Sequence, residues 1–161
     1  MRTASLLLLL ACRFGPADPV AAMDAFVHET HGATQQLTQE GSDVANALFD
    51  VTESKADVAA VRSEVEEGQK EIERQRARLD QWSGPTTPEF EGYRTALRAH
   101  LDGQEELMSV LWTEGIPIAT GAGNPAERGQ QILELIQRHH PAEQATASAA
   151  EEAMRRLYAT F

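Results

Sequence analysis

The stretch DVTESKAD, residues 50–57, decides the fold, because it is the one place where a long helical pattern can turn back on itself. Stepping by seven from Met23 gives Met23, Thr30, Leu37, Val44, Val51, Val58, Val65, Ile72 and Leu79, apolar at eight of nine positions. A seven-residue period marks helix rather than strand. The companion series Phe26, Ala33, Glu40, Ala47, Ser54, Val61, Gly68, Gln75 and Trp82 is much poorer. A free coiled coil needs both seams filled, so this is the face of a bundle, widened in places by Val27, Leu48 and Ala59. Within DVTESKAD, Asp50-x-x-Glu53 and Ser54-x-x-Asp57 are capping-box patterns, which place a turn there and predict helices over 19–52 and 55–82. The alternative is a long coiled-coil hairpin, in which one helix runs over 19–82 for roughly 95 Å and needs a partner chain. Gly41-Ser42-Asp43 offers an earlier break.

Working outward, the next start is Thr87-Pro88-Glu89, an N-cap followed by proline at the first helical position. Phe90, Tyr93, Leu97, Leu107 and Leu111 share its inner seam, and Gly115 is expected to stop it. The following GIPIATGAGN, residues 115–124, reads as a connector whose Ile116 and Ile118 cover the end of the core. Asn124-Pro125-Ala126-Glu127 opens the last helix, with Ile132, Leu133, Leu135 and Ile136 facing inward. That helix meets Pro141 and continues after a kink through Met154, Leu157 and Tyr158. Four helices of matched length joined by short turns predict an all-α, antiparallel up-and-down four-helix bundle over residues 19–161. With nine aromatic residues in the chain, its core rests on Leu, Val, Ile, Met and Ala.

The chain begins MRTASLLLLLACRFG. The apolar run over 4–11 is far short of the roughly 20 residues that a membrane-spanning helix needs. A short apolar core behind Arg2 has the layout of an export signal. Leu9-Leu10-Ala11-Cys12 resembles the bacterial lipobox, a targeting class. The resemblance implies a signal peptide over 1–11, a lipid on Cys12, a short tether over 12–18, and a protein anchored in the bacterial cell envelope facing the periplasm or the exterior. The alternatives are cleavage after Val20-Ala21-Ala22, which gives a secreted soluble protein, and an apolar tail with a buried thiol. Cys12 is the only cysteine, so no internal disulfide forms, and lipidation accounts for an odd cysteine in an exported chain. The formal net charge is −11, and residues 18–67 hold eleven acids against Lys55 and Arg62. Such a field repels nucleic acid and anionic headgroups, so the lipid is the expected link to the membrane. The acids form either a docking face for a protein partner or a solvated surface.

Signs of catalysis are absent. No phosphate loop or zinc-protease motif occurs, and Gly121-Ala-Gly123 lacks the strand-to-helix context of a dinucleotide site. Paired Glu-x-x-His motifs and a haem-attachment motif are also missing, so no cofactor is expected. One constellation suggests a metal or small-ligand site: with turns near 53, 85 and 119, His100 stands level with His139, and Glu40 and Gln104 stand level with Gly68, one turn away. The plainer alternative is a polar layer that fixes helix register. His28 and His31, with Asp24 a turn before, point outward, and Glu151–Arg155 and Glu152–Arg156 form i, i+4 surface pairs. The expected role is a non-enzymatic envelope lipoprotein, structural, scaffolding or partner-binding, with homo-oligomers compatible. Alternatives are a periplasmic metal-binding or sensory bundle and a secreted enzyme.

Overall fold

The computed structural model describes residues 18–84 and 86–160. Cys12, the signal over 1–11 and the tether as far as residue 17 lie outside the described residues. Helix α1 spans Pro19–Thr52 and α2 spans Val58–Gln81. Helix α3 covers Pro88–Val110 and passes through a π-helical turn, Leu111–Gly115, into α4, Ile116–Thr120. Helix α5 runs from Pro125 to Tyr158. With α3, the π turn and α4 forming one rod, four antiparallel rods make a four-helix bundle, and the single long helix over 19–82 is excluded. Among the described residues, no helix is long and apolar enough to cross a membrane.

The helix starts follow local chemistry. Asp18, Thr87 and Asn124 accept hydrogen bonds from Val20, Phe90 and Glu127 amides, each with proline in the first turn behind it. The first hairpin forms where expected, but α2 starts three residues later than the Ser54 capping box implies. Asp57 is its cap, accepting from the Ala60 amide, while Ser54 sits at φ 58° inside the turn. A left-handed residue reverses the chain and cannot also cap a helix.

Gly115 does not stop the third rod. It keeps helical angles, and a Cβ built on it would lie 2.7 Å from Leu48 Cδ1, so its missing side chain lets α1 press against the rod. The connector is therefore only Gly121–Asn124, and most of GIPIATGAGN is helical. Ile116 and Ile118 do pack on the end of the core. Two further expectations shift: Leu133 and Ala59 are exposed, whereas Ile132 and Leu135 are buried. Helix α5 continues through Pro141, which removes one backbone donor without ending it.

The core has two apolar parts. One holds Met23, Phe26, Val27, Leu37, Ile72, Leu79, Phe90, Leu97 and Leu157 near the chain ends, and the other holds Val44, Leu48, Val61, Val65, Leu111, Ile132 and Leu135 near the opposite turns. Phe26, Trp82 and Phe90 stack as a tilted trio, with ring centroids 4.7 to 5.6 Å apart. Two arginines close the hairpins from a distance. Arg128 on α5 donates to the Thr52 carbonyl at 2.6 Å, and Arg94 on α3 donates to the Leu79 carbonyl at 2.7 Å. Each places a cation on the last carbonyls of another helix, where the macrodipole favours it. Arg128→Ala should therefore lower unfolding free energy by about 2 kcal/mol in urea titration, because it removes charge-assisted hydrogen bonds at a helix end. Leu48→Ala, which empties a fully buried site beside Gly115, should cost about 3 kcal/mol.

Candidate functional site

Between the two apolar parts lies a polar layer contributed by all four rods. Glu40 of α1 faces Gly68 of α2, whose built Cβ would stand 3.5 Å from Glu40 Oε2. The room left by Gly68 is taken by Met108, whose terminal methyl would overlap such a Cβ. Gln104 of α3 donates through Nε2 to Glu143 Oε1 of α5 at 3.0 Å, and its Oε1 lies over Gly41. Beside them Glu71 is buried, held by Gln75 and by Arg74 at 2.9 Å. Glu40 Oε1 accepts from Gln36, but Glu40 Oε2 and Gln104 Oε1 are buried with no hydrogen-bond partner among the described residues. Burial pushes the Glu40 pKa up, and the Gln36 hydrogen bond opposes it; the neighbouring carboxylate of Glu71 adds to the rise.

His100 is buried at 2 % exposure, as its inward position predicts, but its partner is not His139. Its Nδ1 lies 3.4 Å from Thr146 Oγ1. The reason is register: because the third rod continues past Gly115 to Thr120, the turn moves toward the C-terminus and α5 slides by seven residues, two helical turns. His139 instead lines a shallow groove on the outer side of the α3–α5 pair with Asp102, Glu106 and Glu143. Glu40, His100 and His139 thus stand in three different places. Among the described residues, no group of three or more His, Cys, Asp or Glu side chains could hold a metal ion.

His100 opens instead on a cleft between α1 and α5, floored by α3. Its walls include His31, Thr34 and Thr38 of α1, Tyr93 and Leu97 of α3, and Ala147, Glu151 and Met154 of α5. His31 is therefore half-buried on this cleft rather than outward, while His28 is exposed as expected. Tyr93 Oη and Thr30 Oγ1 are 2.6 Å apart; the Thr30 hydroxyl is occupied by backbone carbonyls at 2.9 and 3.1 Å, so the tyrosine donates. Burial pushes the Tyr93 pKa up to about 12, so the phenol stays protonated. At the mouth, Arg155 and Arg156 both bind Glu152, at 3.2 and 3.1 Å, so the expected Glu151–Arg155 pair is not made. Sequence reasoning missed Thr146 as the partner of His100 and Tyr93 and Glu151 as cleft residues; the i, i+3, i+7 spacing of the apolar residues Ala147, Ala150 and Met154 on α5 was the available signal.

The two perturbed groups act on stability with opposite signs. Glu40 has a folded pKa above its unfolded one, so protonation favours the folded chain, and stability rises as pH falls through the folded value. Burial lowers the His100 pKa, with Glu143 opposing, so stability is lost as pH falls below about 6.5, the ordinary histidine value. In melting curves across this range, the Tm of Glu40→Gln relative to the parent should fall on acidification. That of His100→Gln should rise below about pH 6.5. No family model matches the chain, and no curated protein or solved structure is significantly similar to it.

Proposed function

We propose that the chain is a non-enzymatic lipoprotein of the bacterial envelope, tethered through Cys12, whose bundle holds an acidic far half away from the membrane for a cationic protein partner. The observation that carries this reading is the distribution of charge along the bundle. The layer of Glu40, Gly68, Gln104 and Glu143 divides the described chain into two halves. The half with the chain ends and the 82–87 turn has eleven acids and eight bases, a formal −3. The half with the 53–57 and 121–124 turns, the layer's own Glu40 and Glu143 set aside, has twelve acids and four bases, a formal −8.

In the near half the charges are matched across helices: Arg78 with Glu29, Arg98 with Asp80, and Arg76 with Asp102. A near-neutral end suits the anionic surface that a short lipid tether would bring close, since residues 13–18 extend at most about 20 Å. The acidic half begins roughly 30 Å along α1, several Debye lengths away at physiological salt. There its field steers a basic partner without competing with headgroups. A second reading, a ligand-binding or sensory bundle, is favoured by the buried His100 on an open cleft.

Cys12→Ser should move the protein from the membrane fraction to the soluble one, and a variant that stays in membranes overturns the tether. With the tether intact, cross-linking in the parent cells should capture a basic protein. Capture should fall severalfold in Glu64→Lys/Glu66→Lys and in high salt, while unchanged capture in both overturns the docking half of the reading.

A further inference from the structure

The cleft between α1 and α5 gathers hydrogen-bond acceptors below its rim, whatever anchors the bundle. It has about 70 Å³ of room, enough for about five water-sized positions. At the α1 rim the exposed Gln35 amide and the half-buried His31 ring pair with each other at 3.2 Å, each keeping one further N–H. Below that rim the hydroxyl donors are spent on the protein itself. The Thr34 hydroxyl donates to the His31 carbonyl at 2.7 Å and that of Thr38 to the Thr34 carbonyl at 3.2 Å. The Tyr93 hydroxyl donates to Thr30, as above. The Thr146 hydroxyl donates to the Glu143 carbonyl at 2.8 Å, so toward His100 it accepts, and His100 carries its hydrogen on Nδ1. The Nε2 of this buried histidine then holds a lone pair with no hydrogen-bond partner among the described residues.

What remains for an occupant below the rim is acceptors: His100 Nε2, the lone pairs of Tyr93, Thr34 and Thr38, and at the mouth the Glu151 carboxylate, left without an arginine because both neighbours bind Glu152. Leu97, Ala147 and Met154 supply apolar surface between them. A set of acceptors below the rim with one carboxylate at the mouth disfavours an anion there and leaves a plain hydrocarbon with unpaired polar groups. We propose that this cleft binds a small primary ammonium ligand. Its N–H groups meet His100 Nε2 and the hydroxyl oxygens, its charge faces Glu151, and a short alkyl chain lies on Leu97, Ala147 and Met154. No three-ligand metal set is present there, and an ammonium group needs none.

The test is a titration of the isotope-labelled chain with n-propylammonium chloride at neutral pH, followed by amide and histidine NMR shifts. Saturable shifts confined to the cleft are expected, with a dissociation constant of about a millimolar for so small a ligand. Tetramethylammonium, which has the charge but no donor, and n-propanol, which has the chain but no charge, should each bind at least tenfold more weakly. Glu151→Gln, at an exposed position, should weaken binding about fivefold, Ala147→Leu should fill the cleft and abolish it, and Glu66→Gln, exposed on α2 and outside the cleft, should leave it unchanged. Absence of saturable shifts, equal binding of tetramethylammonium, or full affinity in both Glu151→Gln and Ala147→Leu overturns the proposal.

Discussion

The contact of Leu48 with the backbone at Gly115 sets the register of the bundle. Leu48 is fully buried, and a side chain at position 115 would stand against it at 2.7 Å. With only hydrogen there, α1 and the third rod approach closely, and the rod absorbs the contact in one π-helical turn rather than ending. Everything C-terminal of it shifts accordingly. Helix α5 starts at Pro125, which brings Arg128 under the last carbonyl of α1 and Thr146 to the ring of His100. The same shift carries Glu151 to the mouth of the α1–α5 cleft.

The polar layer works against this packing in energy and with it in specificity. Glu40 Oε2 and Gln104 Oε1 are buried acceptors without donors, and such atoms cost about 1 to 3 kcal/mol each. A purely apolar core of Leu and Val would be more tolerant of sliding, since one heptad step restores a similar surface. Here a slide by one heptad would separate Gln104 from Glu143 and drive Glu40 into apolar neighbours. The layer also divides the molecule electrically. Three of the cross-helix arginines, Arg76, Arg78 and Arg98, pair in one half, while the acids of the other half outnumber its bases by eight and one arginine pair, Arg138 with Glu114, crosses between rods there.

Much of the fold was legible because helix starts are local events. Thr87 and Asn124 each sit directly before a proline and cap as their sequence implies, and Asp18, also before a proline, caps α1 in the same way. The seven-residue seam of α1 was equally plain, from Met23 through Val44. The site was less legible because it depends on register between distant helices. Glycine carries two meanings, stop and close approach, and at Gly115 only the position of Leu48 on another helix decides between them. The same holds for Arg94 and Arg128, whose acceptors lie 15 and 76 residues away in the chain. His31 looked like a surface residue because it falls outside the heptad seam, and Glu151 because Arg155 was read as its partner; His31 is half-buried and Glu151, though exposed, stands on the same cleft between α1 and α5.

The register of α5 against α3 is the claim on which the buried histidine, the cleft and the polar layer all rest. Nuclear Overhauser contacts from the His100 ring test it directly. The account requires contacts from that ring to the Thr146 methyl group and to no proton of His139. Contacts from His100 to His139, with none to Thr146, would place α5 two turns away and contradict it.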